Sequence, residues 1–113
     1  MEQHYKLSRV RELADNDNDF ITTLAVTFVD EVSTDSERLK KAVAEKDYYN
    51  AYQAAHKMKP TIDLFELGVL DTLIEVQDWG KFTKKDIDIT DKLDIVMAAI
   101  EKALVEIKTD FNI

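Results

Sequence analysis

The sequence predicts an all-α fold, and three observations lead to it. Apolar residues recur at three- and four-residue spacing through most of the chain, a helix period rather than a strand alternation. Only two glycines and one proline interrupt 113 residues, too few for a turn-rich β protein. The polar clusters between the apolar stripes are short, so successive helices are expected to lie side by side. The expected architecture is an antiparallel up-and-down four-helix bundle with a short extra N-terminal helix, forming one domain over residues 1–113.

Leu7, Val10 and Leu13 share one side of a short first helix, which is expected to cover one end of the bundle. The cluster Asp15 to Asp19 then breaks the pattern and offers caps for a second helix. There Phe20, Leu24 and Phe28 recur every four residues beside Ile21, Ala25 and Val32. Ser33 to Ser36 suggests a bend or restart, after which Leu39, Ala42 and Val43 carry the stripe to about Ala44. Asp47 is a natural N-cap for the next helix, which Pro60 is expected to kink or divide. Helix is then expected from Ile62 to Trp79, with Gly80 just past its end. Lys81 to Ile89 reads as a loop. Thr90 is the expected cap of a last helix whose stripe runs from Leu93 through Val96, Met97, Ile100, Ala103, Leu104 and Ile107 to Phe111.

Composition narrows the function. The chain has no cysteine, which removes disulfides, thiol catalysis and thiolate metal sites. The amino-terminal stretch is charged and lacks the apolar run of a signal peptide, and no segment reaches the roughly 18 apolar residues of a membrane span. A cytoplasmic protein is expected, with no membrane partner. A net charge of −8 with no basic stripe argues against nucleic acid as a partner. A monomer is expected, because the helices find enough partners within the chain.

The informative stretch is Tyr52 to Gly68, "YQAAHKMKPTIDLFELG". At about 100° per residue, Ala51, Ala54, Ala55, Met58, Ile62, Phe65 and Val69 define a buried arc, and His56 points about 150° from its centre. Lys59, one turn on, lies within reach of the imidazole, whereas Lys57 points to a different side. Tyr52 and Gln53 flank the histidine one turn back, and Asp63 lies one turn past Lys59. Leu64 and Leu67 tend toward the same exposed side. Pro60 has no N–H to give the carbonyl of His56, so the backbone is loosened beneath the histidine.

An outward histidine with a lysine three residues on suits phosphoryl transfer. Neutral imidazole, with an ordinary pKa of about 6.5, is a nucleophile near neutral pH. An adjacent ammonium stabilises the negative charge spread over a transferring phosphoryl group. The run "AAHKMKPTIDLFELG" in an all-helical chain of this length resembles the histidine-containing phosphotransfer (HPt) domains of two-component phosphorelays. His56, Met58, Lys59 and Thr61 occupy the places of that family's histidine, apolar, lysine and hydroxyl positions. Pro60 stands where a glycine is usual. The second glycine, common ten residues after the histidine, is replaced by Glu66, with Gly68 two places later. The entry "LSRVRELADNDNDFITTLAVTFVDEV" is similar to the family's first two helices.

The resemblance implies a phosphocarrier without its own kinase site. His56 is then expected to take a phosphoryl group from a receiver-domain aspartate and pass it to another receiver, with Lys59 stabilising the transferred group. Receiver domains of response regulators and a hybrid sensor histidine kinase are the implied partners. No cofactor is expected on this chain, and Mg2+ is expected on the partner receiver. Tyr52, Gln53, Pro60, Asp63 and Leu67 are the expected docking rim. The chain has no glycine-rich nucleotide loop, so autophosphorylation from ATP is not expected.

Two other readings compete. A helical interaction module that is never phosphorylated would fit Pro60 and Glu66, since a carboxylate near the docking side repels an anionic partner. A carboxylate-rich metal bundle needs inward Glu-x-x-His pairs, but the residue three before His56 is Gln53, and His4 lies in a stretch expected to fray. No metal site is expected.

Overall fold

The computed structural model describes residues 3–113, and those residues are all-α: five helices and no strand. The helices are α1 (Ser8–Leu13), α2 (Asn18–Ala44), α3 (Tyr48–Leu64), α4 (Leu70–Lys81) and α5 (Thr90–Phe111). α3 packs against α2 and α4, and α5 packs against both α2 and α4. The described residues measure 46 × 22 × 19 Å, the long dimension set by α2, whose 27 residues span about 40 Å.

α2 starts where the acid cluster predicts. Asp17 accepts hydrogen bonds from the backbone N–H groups of Asp19 and Phe20 and caps the helix. Its core stripe is Ile21, Ala25, Phe28, Val32, Leu39, Ala42 and Val43. Phe20, expected within that stripe, is 43% exposed. α2 runs without a restart through Ser33 to Ser36, where the polar side chains bond back within the helix. Thr34 donates to the Asp30 carbonyl at 3.1 Å and Ser36 to the Ser33 carbonyl at 3.0 Å. Asp35 is buried but accepts from Lys57 of α3 at 3.3 Å.

Asp47 caps α3 as expected, accepting from the Asn50 N–H at 3.1 Å. Pro60 lies inside α3 and does not divide it. The expected helix from Ile62 to Trp79 is instead broken between Leu64 and Leu70, where Glu66 and Gly68 adopt φ of 52° and 79°. Packing decides this: Ile62 and Phe65 are both buried, and the Phe65 ring meets Phe28 of α2 at 4.6 Å between centroids. The helix therefore continues past the proline until its apolar face is covered. Gly80 does not end α4 but lies buried within it. Thr90 is the first residue of α5 rather than its cap: Ile89 holds the cap position without a side-chain bond, and Asp88 before it accepts from the Thr90 N–H at 2.9 Å.

α1 and the residues before it lie across the end formed by the C-terminal turns of α3 and α5. The Lys6 N–H donates to the Phe65 carbonyl at 2.8 Å, and the Tyr5 hydroxyl donates to Asp110 of α5 at 2.7 Å. His4, expected to fray, is tied to α5: Glu106 accepts from its backbone N–H at 3.0 Å and lies 3.1 Å from its ring. The Gln3 N–H also donates to Glu106. Among the described residues, no helix is long and apolar enough to cross a membrane.

Candidate phosphoryl-acceptor site

Small residues on the inner face of α3 let its neighbours come close. Ala51, Ala54, Ala55, Met58 and Ile62 are buried, and His56 and Lys57 stand exposed between them. The phase read from the sequence is therefore right: His56 faces away from the core. It does not stand clear of the protein, however, because α4 runs alongside.

Two side chains fix the imidazole. One turn back on α3, the half-buried Tyr52 ring lies 5.6 Å from it, centroid to centroid, tilted by 33°. Across the seam, Gln77 of α4 sets its Oε1 3.3 Å from His56 Nδ1. A carbonyl oxygen only accepts, so a hydrogen bond at this contact requires the proton on Nδ1, an arrangement that puts the lone pair of the neutral ring on Nε2. Among the described residues Nε2 has no hydrogen-bond partner.

The sequence reading missed Gln77, which sits on another helix 21 residues away. A signal for it exists: Gln77 falls on the stripe made by Leu73, Val76 and Gly80, and is itself buried. A buried amide on an apolar stripe needs a polar partner.

The cations around His56 divide by what they face. Lys57 is committed to the buried Asp35. Lys59, half-buried one turn from His56, makes no ion pair among the described residues. The acid one turn beyond it, Asp63, is paired with Arg9 of α1 at 3.0 Å, and Arg9 also donates to the Asp63 carbonyl at 3.1 Å. The hydrogen bond to the Asp63 carboxylate, with its charge, raises the Arg9 guanidinium above its ordinary pKa. Asp63 is therefore offset by an arginine rather than by Lys59.

The expected rim is only partly exposed. Pro60 is exposed, Gln53, Tyr52 and Asp63 are half-buried, and Leu64 is half-buried. Leu67, expected to stand exposed there, is buried at 9%, because the chain turns inward after α3. Tyr49, two turns before His56, is 69% exposed. Glu66 is half-buried, and its Oε2 is enclosed without a hydrogen-bond partner among the described residues. No group of three or more His, Asp or Glu side chains is placed to hold a metal ion among the described residues. Comparison with known proteins returned no matching family model, no matching curated protein and no matching solved structure.

Proposed function

We propose that this chain is a phosphocarrier that accepts a phosphoryl group on His56 Nε2 from the acyl phosphate of a receiver-domain aspartate and passes it to another receiver. The observation that carries this reading is the pairing of His56 Nδ1 with Gln77 Oε1, which leaves Nε2 unbonded, with Lys59 one helical turn on and without an ion-pair partner among the described residues. In the forward step the Nε2 lone pair attacks phosphorus, the N–P bond forms, and the P–O bond to the aspartate breaks with its electrons leaving on the carboxylate. The ring becomes positively charged, its proton still on Nδ1, and Gln77 Oε1 accepts from that N–H throughout. Lys59 offsets the charge of the transferring oxygens. Transfer to the next receiver is the reverse of this step.

The helices are proposed to form an antiparallel up-and-down four-helix bundle with α1 across one end. The pairing of Arg38 with Asn50, then Asp35 with Lys57, then Phe28 with Phe65 supports opposed directions for α2 and α3. The proposed setting is a cytoplasmic monomer acting between a hybrid sensor histidine kinase and response-regulator receivers, with Mg2+ held by the receiver. Tyr52, Gln53, Pro60 and Asp63 are proposed to meet that partner. A purely interacting module is the second reading, favoured by exposed Tyr49 at 69% and by Glu66 near the docking side.

Treating the wild type and His56→Ala with phosphoramidate, then with a phosphorylated receiver domain, separates the two. An acid-labile phosphate on the wild type alone is the expected result. A folded wild type that takes phosphate from neither donor would move the assignment to the interaction module.

A further inference from the structure

At Gly80 the seam between α3 and α4 leaves no room for a side chain. A Cβ placed on Gly80 would lie 2.6 Å from the Tyr48 carbonyl oxygen, 2.7 Å from the Tyr52 nitrogen and 3.2 Å from the Tyr52 Cα. All three are backbone atoms, so no side-chain rotation could make room. The two helices touch main chain to main chain, and any side chain at position 80 would force them apart.

That contact lies one turn from the histidine. Gly80 and Gln77 are three residues apart on α4, and Tyr52 and His56 are four apart on α3, so each pair shares a helix face. The Gln77–His56 separation of 3.3 Å is already at the long end of the hydrogen-bond range. It has no slack to absorb a wider seam. Gln77 is also buried, so its amide has little room to follow a ring that moves away.

We infer that Gly80 is a positioning residue for His56. By holding α4 against α3 it keeps Gln77 Oε1 within reach of Nδ1 and so selects the tautomer with a free Nε2. Its consequence for phosphoryl transfer rests on the reading of His56 given above, but the tautomer itself does not.

The test is a long-range 1H–15N correlation spectrum of ring-labelled histidine, recorded about two units above an imidazole's ordinary pKa of about 6.5, so that the ring is neutral. His56→Ala identifies the His56 signals against those of His4. The wild type is expected to show protonated Nδ1 and unprotonated Nε2 at His56. Gly80→Ala and Gln77→Ala are each expected to shift the ring toward the Nε2–H form that histidine prefers in water, and the double variant to shift it no further. A merely structural role for Gly80 lowers stability and leaves the tautomer alone. A folded Gly80→Ala that keeps the wild-type signature overturns the inference.

Should Gly80→Ala fail to fold, Gln77→Asn withdraws the carbonyl by one methylene with the seam intact. Loss of the Nδ1–H signature supports a reach-limited bond, and its retention overturns the inference. Phosphate incorporation read on the same samples keeps the two ideas apart. A tautomer that responds to Gly80→Ala in a wild type taking no phosphate supports the positioning role and sinks the relay. Phosphate uptake with an unresponsive tautomer does the reverse.

Discussion

Lys57 and Lys59 flank one methionine, yet of the two only Lys57 has an ion-pair partner among the described residues. The Lys57 ammonium covers the buried Asp35 carboxylate at 3.3 Å, and that acid is only 4% exposed. Replacing Lys57 with Met leaves the carboxylate without its cation. Because Lys57 is itself half in solvent, the expected loss is about 1–2 kcal/mol in urea denaturation, toward the low end for an orphaned buried acceptor. Phosphate uptake by Lys57→Met should stay within about twofold of the wild type, since no transition-state contact is removed. Lys59→Met is the mirror image: stability nearly unchanged, phosphate uptake slowed by about ten- to a hundredfold through loss of charge stabilisation. Equal slowing by both variants would show that the site senses only net charge. The helical wheel already set Lys57 and Lys59 on different sides of α3, but the partner that holds Lys57, Asp35, lies on α2 and could not be read there. Nor was Gln77 legible, because its meaning depends on which face of α4 meets α3.

At the scale of the element, the helix centres and the starts of α2 and α3 followed the sequence signals, whereas the ends of α3 and α4 did not. α2, α3 and α4 each close with a residue in the left-handed region, and none of the three is glycine: Lys46, Glu66 and Thr83, at φ of 55°, 52° and 48°. Each is followed by a backbone N–H reaching back five residues, Asp47 to Ala42, Leu67 to Ile62 and Lys84 to Trp79. A reader looking for glycine past a helix end therefore picks Gly80, which is in fact the helix's contact point. Pro60 does not divide α3 either: it removes one hydrogen bond, while Ile62 and Phe65 beyond it are buried and the helix runs on to Leu64. Thr83 carries the most strain of the three caps, being β-branched and exposed. Thr83→Gly should raise the unfolding free energy by about 1 kcal/mol. A decrease in the urea midpoint would mean that the threonine side chain contributes more than its backbone costs.

For the whole molecule, acid is the informative perturbant. The net charge is −8 at pH 7 and the isoelectric point about 4.7, so lowering pH first relieves self-repulsion. Against this stand carboxylates that tie elements together. Hydrogen bonds from the Asn50 side chain and N–H hold Asp47, the cap of α3, below the ordinary carboxylate range, and bonds from Thr90 do the same for Asp88 at α5. Burial pushes Glu106 up, but the bonds from His4 and Gln3 outweigh it and its carboxyl also ends below its ordinary value. A group whose pKa is depressed by folding binds its proton sooner in the unfolded chain. Its stabilisation is complete above the unfolded value, about 4, and disappears as pH falls through the lower folded value. The two effects oppose each other, so the urea midpoint should rise modestly from pH 7 toward about pH 5 and fall steeply below about pH 4. Glu106→Gln tests the assignment, since it removes a titrating group that anchors the amino-terminal segment to α5. The variant should be less stable than the wild type at pH 7, and the gap should narrow as pH drops below about 4, where the wild-type carboxylate is being protonated. A gap that stays constant across that range would mean that Glu106 contributes to stability without its charge, through packing alone.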